Sequence, residues 1–295
     1  MIMLRKSAGK TTRILPAITM AVLVSAAPAV MRGQEAKKRL FGPWAAKAEV
    51  SYVVTGGNTS TSALSLGTIF SRTWAKDTLL FRSYILTSDA TTTSRTARGT
   101  ETDFSVVETR TTRKVAENYL LAGQYDRKIL DGLAGQAGLS WDRNRFAGVD
   151  DRFILTAGFG YDVIAQKRTQ LKTSAGLTFT RRRYVGQDME SFAGLRFTLG
   201  GEQKILDSSS FSTAFVLDDN LKRSSDWRFD WANSVTASIS KSLALKVSLR
   251  TLYANVPAMQ SLPLFDDLGE PTGLFVSYPL KKLDTFLTTS IVINF

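Results

Sequence analysis

The last eleven residues, Thr285–Phe295 (T-F-L-T-T-S-I-V-I-N-F), alternate strictly between two kinds of side chain. Leu287, Ile291, Ile293 and Phe295 share one parity with Thr285 and Thr289, while Phe286, Thr288, Ser290, Val292 and Asn294 hold the other. A period of two places these sets on opposite faces of a strand. One face is mostly apolar and the other carries hydroxyls and an amide. The segment has no charge and stops on an aromatic ring. At the edge of a soluble sandwich such an end would fray and offer a template for aggregation. A closed barrel in a bilayer pairs every edge and turns the apolar face to lipid. The rest of the chain must decide between the two.

From Trp44 onward the same alternation recurs. Trp44, Ala46, Ala48, Val50 and Tyr52 oppose Lys47, Glu49 and Ser51. Phe153, Leu155, Ala157, Phe159, Tyr161 and Val163 oppose Arg152, Thr156, Gly158, Gly160 and Asp162. Similar runs cover residues 193–200, 228–239 and 245–253. Each is about 10–14 residues, the length of a tilted membrane strand and longer than an average globular one. Tight turns are expected at Ala75-Lys76-Asp77, Asp131-Gly132, Gln166-Lys167-Arg168, Asp207-Ser208-Ser209 and Lys241-Ser242, on the periplasmic side. Longer loops are expected outside, at Gly56–Thr61, within Ser88–Asn118, and at Ala147–Asp151, Val185–Asp188, Arg223–Asp226 and Pro257–Lys281. These connections predict an all-β chain, an antiparallel transmembrane β-barrel of about 12 strands. Thr102–Lys114 also alternates loosely, which would give an odd strand number. Both chain ends belong on one side, so residues 77–130 are read as one very long hairpin projecting beyond the membrane. A fourteen-stranded reading would place part of Pro257–Lys281, such as Leu274–Tyr278, in the sheet. Trp44, Trp74, Tyr119 and Phe295 are expected near the periplasmic rim, and Trp141, Tyr184 and Trp227 near the outer one, as aromatic girdles.

Residues 1–29 read as an N-terminal signal peptide. Arg5, Lys6, Lys10 and Arg13 precede a short apolar core, Ile14–Val24, and then the small residues Ser25-Ala26-Ala27-Pro28-Ala29. Cleavage would follow Ala26 or Ala29. Residues 30–43 form a polar leader, and residues 44–295 the barrel. Hydrophobic residues make up 43% of the chain, too few for a helical membrane protein, and no apolar run after residue 30 reaches the length of a spanning helix.

Two stretches carry a family resemblance. One is Glu49–Gly67, E-V-S-Y-V-V-T-G-G-N-T-S-T-S-A-L-S-L-G. The other lies within Leu139–Val185, where S-W-D-R-N-R-F-A-G-V-D-D-R-F, then G-F-G-Y-D-V-I, then K-R-T-Q-L-K-T-S-A-G-L-T-F follow one another. Together they resemble domain-of-unknown-function family 481, whose members are labelled salt-induced outer-membrane proteins. The resemblance implies a β-barrel in the Gram-negative outer membrane and brings no activity, cofactor or catalytic residue. The final strand is also similar to those that end bacterial outer-membrane barrels, which implies that Phe295 is an assembly signal read by the barrel-assembly machinery.

The chain has no histidine and no cysteine. A Ser-His or Asp-His pair cannot be assembled, nor can thiolate chemistry or a disulfide. Carboxylate pairs remain at Asp150-Asp151, Asp218-Asp219 and Asp266-Asp267, but neighbouring acids on a strand point to opposite faces. Asp266, Asp267 and Glu270 could offer oxygens to a divalent cation, with a solvated acidic loop as the plainer alternative. The expectation is therefore no enzyme, no cofactor and no metal. The net charge of +12 is spread over strand faces among acids, which does not suit nucleic acid. It suits outer-membrane lipid and lipopolysaccharide. Arg181 and Arg183, before an outer loop, are candidate lipopolysaccharide contacts, because guanidinium forks match phosphate; a solvated charge run reads equally well.

Assigning the polar parity inward puts Lys47, Lys128, Lys172, Arg182, Arg196, Lys204, Arg228, Lys246 and Arg250 in the lumen. Glu49, Asp126, Asp142, Asp162, Glu202, Asp218 and Asp230 accompany them. Of these, Lys172, Arg196, Arg228, Lys246, Arg250, Asp162 and Asp230 are the lumen-lining candidates. Inward glycines at 138, 158, 160, 176, 194 and 200 are expected to leave room. The reading is a narrow passive channel for small solutes or ions with a slight anion preference. Alternatives are a closed barrel whose interior ion pairs support the envelope, or surface binding and adhesion through the long loops. The solute and the oligomeric state are not legible.

Overall fold

The structure, a computed structural model, describes residues 43–55, 59–99, 104–266 and 270–295. The segment read as a signal peptide, nearly all of the expected leader, and residues 56–58, 100–103 and 267–269 lie outside them. Fourteen strands form: β1 (Ala45–Thr55), β2 (Thr59–Trp74), β3 (Asp77–Gly99), β4 (Phe104–Leu130), β5 (Leu133–Asn144), β6 (Val149–Ala165), β7 (Thr169–Tyr184), β8 (Met189–Leu206), β9 (Ser209–Asn220), β10 (Arg228–Ser238), β11 (Leu243–Ala254), β12 (Met259–Phe265), β13 (Pro271–Pro279) and β14 (Leu283–Asn294). Twelve close into one antiparallel barrel in chain order, with β14 joining β11 to β1. β12 and β13 pair only with each other, in a separate two-stranded sheet. Leu274–Tyr278 thus forms a strand, but outside the barrel, so the fourteen-stranded alternative is not realised.

The period of two sorts the walls. Leu155, Phe159, Leu177, Phe179, Leu249, Leu287 and Ile291 stand outward and exposed, a band suited to hydrocarbon. The other parity of β14 (Phe286, Thr288, Ser290 and Val292) is buried inside. Connections at the end that carries both chain termini, expected to be periplasmic, are short, and Gly132 takes the positive φ of 78° that its two-residue turn needs.

The long β3–β4 hairpin removes the odd strand count. β2 accompanies β3 as far as Thr59↔Thr92, and β5 leaves β4 at Asn118. Beyond these points β3 and β4 pair only with each other, out to Gly99↔Phe104. Seven residues of β3 at about 3.3 Å each carry this ribbon roughly 20 Å past the wall. The register shifts at Ser88/Asp89, where such a bulge increases twist and bends the ribbon as it leaves the sheet. Tyr119 pairs with Arg143, near the outer end of β5. It belongs to the outer rim and not the periplasmic one, because β4 begins well above the membrane and only then descends.

Closure depends on the β1–β14 seam, whose ladder holds only four paired positions, Lys47↔Asn294 to Val50↔Ile291. Two bonds extend it: the Ser51 hydroxyl donates to Thr289 O at 2.8 Å, and Phe295 N donates to Ala46 O at 3.1 Å. Inside, Lys246 on β11 reaches across β14 to Glu49 on β1, with Nζ 2.9 and 3.2 Å from the two carboxylate oxygens. Both side chains are buried.

Gly138 and Gly200 line the lumen cavity, but three of the inward glycines, Gly158, Gly176 and Gly194, do something other than leave room. Gly158 on β6 pairs with Gly176 on β7, and a Cβ at Gly158 would lie 2.2 Å from Ala175 O and 2.5 Å from Gly176 Cα. At Gly194 a Cβ would lie 2.3 Å from Asp219 O. These positions let neighbouring backbones crowd together on the concave side of a sharply coiled wall.

Two outcomes are expected. Glu49→Gln strands a buried ammonium at the seam and should cost about 3–5 kcal/mol, read as a lower denaturant midpoint in micelles, whereas Glu49→Gln with Lys246→Met should recover most of the loss. Gly158→Ala should prevent appearance of the compact, heat-modifiable band on gels. Gly123→Ala, whose Cβ meets nothing nearer than Phe81 at 3.4 Å, should fold.

Candidate functional site: the barrel interior

The interior has two unlike halves. On one side Tyr84 and Leu86 of β3 pack with Phe286 of β14, joined by Leu120 and Leu252. Beside them lie small, buried inward residues of β1 and β2, Ser51, Ala63 and Ser65. The hydroxyls of Ser65, Ser88 and Ser290 are buried without a hydrogen-bond partner. Their small size is what this closely packed region uses. Side chains from non-adjacent strands therefore fill this half.

The other half is polar and charged. Arg152 on β6 grips Asp142 on β5 through two 2.8 Å bonds. Arg250 on β11 holds Asp230 on β10, with Nε to Oδ1 at 2.8 Å and a second, shorter bond. Asp218 on β9 accepts from two guanidiniums, Arg196 on β8 at 2.6 and 3.0 Å and Arg228 on β10 at 2.8 and 3.2 Å. Lys172 on β7 spans two strands to approach Asp126 on β4 at 3.5 Å. Asp126 also accepts from Gln124 at 2.8 Å. Arg82 on β3 lies within electrostatic range of Asp126 on the neighbouring β4, and of Arg196 and Asp230, which stand on strands about opposite it in the ring. Charges from facing walls therefore meet in a narrow girdle. One carboxylate serves two arginines and Arg82 adds a further cation, so the girdle carries more bases than acids.

Within it lies a cavity of about 140 Å³. Arg82, Lys172 and Arg196 line it, with Gln124, Gln136, Ser174 and Thr198, and no carboxylate is among its lining residues. Asp126 and Asp218, which partner Lys172 and Arg196, are not among them. Arg196 gives two N–H groups to Asp218 and one, at 3.4 Å, to Thr156, so two of its five donors are left over.

Each lumen-lining candidate lies on the inward parity. Lys172, Arg196, Arg228, Arg250 and Asp230 belong to the girdle. Lys246 is at the seam, and Asp162 sits opposite Lys172 in the β6–β7 register, half-buried toward the periplasmic end. Lys128 and Lys204 are exposed at that end, where Lys128 meets Asp131 at 2.6 Å. Sequence reasoning passed over Arg82, Arg152, Gln124 and Gln136. The signal for Arg82 was available in Leu80-x-Arg82-x-Tyr84-x-Leu86, all inward, but that stretch was read only as part of a long hairpin. The run Arg181–Arg183 splits by parity. Arg181 and Arg183 face outward at the outer rim and are exposed, with Arg183 on Asp150 at 3.0 Å. Arg182 is buried inside between Glu190 and Asp226, 4.8 Å from the Tyr184 and Phe192 ring centres. Phe295 closes the seam through its backbone. Of the acidic pairs, Asp150 binds arginines, Asp151 accepts from the Trp141 indole at 2.5 Å, and Asp218 and Asp219 diverge. Asp266 accepts from the Glu270 amide at 2.8 Å in the β12–β13 turn; Asp267 lies outside the described residues.

A strap crosses the outer mouth. The segments joining β12 and β13 to the barrel leave β11 and β14, where Asn255 N donates to Trp227 O at 3.0 Å and Lys282 Nζ to Asn255 at 3.1 Å. They pair through Leu280 N and Ala258 O at 2.8 Å. Ala258 and Leu280 then seat on Gly148 in the β5–β6 loop, about half-way round the ring. A Cβ at Gly148 would lie 2.4 Å from that of Ala258. Gly148→Val, also strained at φ 74°, should unseat the strap and speed tryptic cleavage at Lys281 and Lys282 while the barrel stays resistant. Unchanged cleavage would count against this seat.

Residues 48–264 match the family described as "Protein of unknown function, DUF481", so the chain belongs to that family. No curated protein matches it. Among solved structures the barrel is similar to the NanC porin, with 10% identity, a TM-score of 0.42, and 84% of this chain and 98% of that one covered. It is also similar to an anion-selective porin from Comamonas acidovorans, at 12% identity and TM-score 0.37, covering 85% and 99%. The outer membrane channel DcaP of Acinetobacter baumannii follows at 10% and 0.34, covering 85% and 95%. The fold, read from this chain's own topology, is a closed antiparallel β-barrel of twelve strands. At such low identities the function has to be read from this chain's own residues.

Proposed function

We propose that this member of the DUF481 family is a non-enzymatic, narrow passive channel of the Gram-negative outer membrane that admits small solutes or ions and prefers anions. The observation that carries the reading is the girdle, where three cations and no carboxylate face the remaining cavity. In a constriction walled by low-dielectric protein, fixed charge sets which ions enter. The packed half narrows the path to this cationic side. The strap then governs access from outside, and the salt-induced label of the family fits a conduit whose mouth is restricted. Lipid and lipopolysaccharide surround the barrel in this reading, with Arg181 and Arg183 at phosphate level and Phe295 presented to the assembly machinery after the export signal is removed.

The runner-up is a non-conducting barrel that supports the envelope, favoured by the packed cluster of Tyr84, Leu86 and Phe286 and by the ion pairs that span the lumen. Planar-bilayer recording of the refolded mature chain in a salt gradient separates the two. Small conductance steps with a reversal potential on the anion side are expected, and removing residues 257–281 should enlarge them. Arg82→Gln with Lys172→Gln should move the reversal potential toward zero. Arg196→Glu and Lys246→Glu are poorer tests, because each breaks an ion pair that holds the wall. A folded barrel that stays silent even without residues 257–281 would favour the supporting role.

A further inference from the structure

We infer that the outward face of β3–β7 holds one molecule of a phosphorylated, acylated glycolipid, with an acyl chain in a groove of the wall and a phosphate on the arginines above it. This rests on the outer-membrane reading proposed above and not on whether the lumen conducts. The groove comes first. About 710 Å³ opens on the lipid side of the wall, flanked by Phe81 on β3 and Phe179 on β7. Its floor is low because Gly123, Ala137 and Ala157, on β4, β5 and β6, present little or no side chain. The volume is the share of roughly two dozen waters, room for at least one long acyl chain.

Such a groove cannot select a lipid by the hydrophobic effect, since lipid tails are as apolar as its lining. It orders a chain by contact, and the choice of molecule falls to the groups above it. Two residues along β7 from Phe179 stands Arg181, about 7 Å nearer the outer rim, outward and exposed. It has no carboxylate partner among the described residues. Arg143, outward on β5, donates to a backbone carbonyl, Asp150 O, at 2.8 Å, and likewise meets no carboxylate among them. The remaining charges of the cluster occupy one another. Asp150, the extra residue where the β6–β7 register shifts, takes Arg145 at 3.2 Å and Arg183 at 3.0 Å. Arg145 also nears Glu117 at 3.7 Å, and Asp151 is held by the Trp141 indole. Four guanidiniums thus stand with three carboxylates. Arg143 and Arg181 keep donors for a phosphate, whose oxygens match such forks.

Between the arginines and the groove lie Trp141 and Phe153, outward on β5 and β6 with ring centres 6.5 Å apart. Aromatic rings at this level suit a neighbour that is apolar on its face and polar at its edge, as a pyranose ring is. A glycerophospholipid brings a phosphate and chains but no sugar ring to this tier. The order down the wall is therefore phosphate, sugar and acyl chain, which is the build of a phosphorylated glycolipid such as lipid A.

The test is native mass spectrometry of the refolded mature barrel from micelles that contain lipid A. Dephosphorylated lipid A, which lacks the phosphates, and phosphatidylglycerol, which lacks the sugar, are compared with it. One lipid A per barrel is expected to survive detergent removal, with each of the others retained at least tenfold less. Arg143→Gln with Arg181→Gln breaks no ion pair and should lower retention tenfold or more; Arg181→Gln alone serves if the double variant does not fold. Ala137→Leu with Ala157→Leu fills the groove with side chains at home in hydrocarbon. It should lower retention severalfold while the barrel still gives its compact band on gels. Lys222→Gln, at the same rim but between β9 and β10, is the control and should hold lipid A as the parent does. Equal retention of the three lipids would overturn the site, as would equal retention of lipid A by the parent and both double variants. A lipid-free pair of barrels would overturn it too, and would show a second copy covering the groove. Planar-bilayer recording of the same preparations keeps the two readings apart. Silent bilayers with retained lipid A would leave the site standing and remove the channel, and conducting barrels that hold no lipid A would do the reverse.

Discussion

Every feature of this molecule follows from the need to leave no backbone edge unpaired in hydrocarbon. In lipid an unpaired amide has no water to turn to, so the sheet must meet itself. It does so at the β1–β14 seam, the shortest ladder in the ring. The chain reinforces that seam from inside the barrel, where Glu49 and Lys246 are tied together over the intervening strand. A buried ion pair adds little to net stability compared with apolar packing. Its value here is register. A slip of one residue would turn Glu49 toward lipid and Val50 toward the lumen.

The same economy divides the interior. A ring of twelve strands is wider than its own side chains readily fill. Large inward residues on β3, β4, β11 and β14 close one side over small ones on β1 and β2. Arginines close the rest, because a guanidinium is long enough to reach a neighbouring carboxylate and planar enough to hold it with two bonds. Sharp coiling of the β6–β7–β8 wall brings the cationic side inward, and glycines at the contact points permit it.

Much of this was legible in the sequence. The two-residue period gave strand identity and the inward set, and the periplasmic turns gave the strand number, since Asp131-Gly132 or Asp207-Ser208 leave little choice. What could not be read was distance. Parity says that Lys172 and Asp126 both face the lumen, but only the closed ring brings strands β7 and β4 within reach. Gly158 looked like vacancy in the sequence and is close contact in the fold, because curvature is a property of the whole ring. Tyr119 was placed at the wrong rim for a related reason: position along a strand has meaning only once the strand's start is known, and β4 starts in the ribbon. Likewise the alternation at Leu274–Tyr278 is real, but a strand's period does not say which sheet it joins.

The strap changes the mechanics of the mouth. Its two roots sit on adjacent strands and its seat lies half-way round the circumference, so it is a chord drawn across a circle. A hoop of hydrogen-bonded strands flattens easily into an oval, since each hinge between neighbours need turn only a little. A chord fixes the diameter along which it lies. While Ala258 and Leu280 rest on Gly148, the outer rim cannot lengthen in that direction, and lateral pressure from the surrounding lipid meets a braced frame in place of a pliable ring.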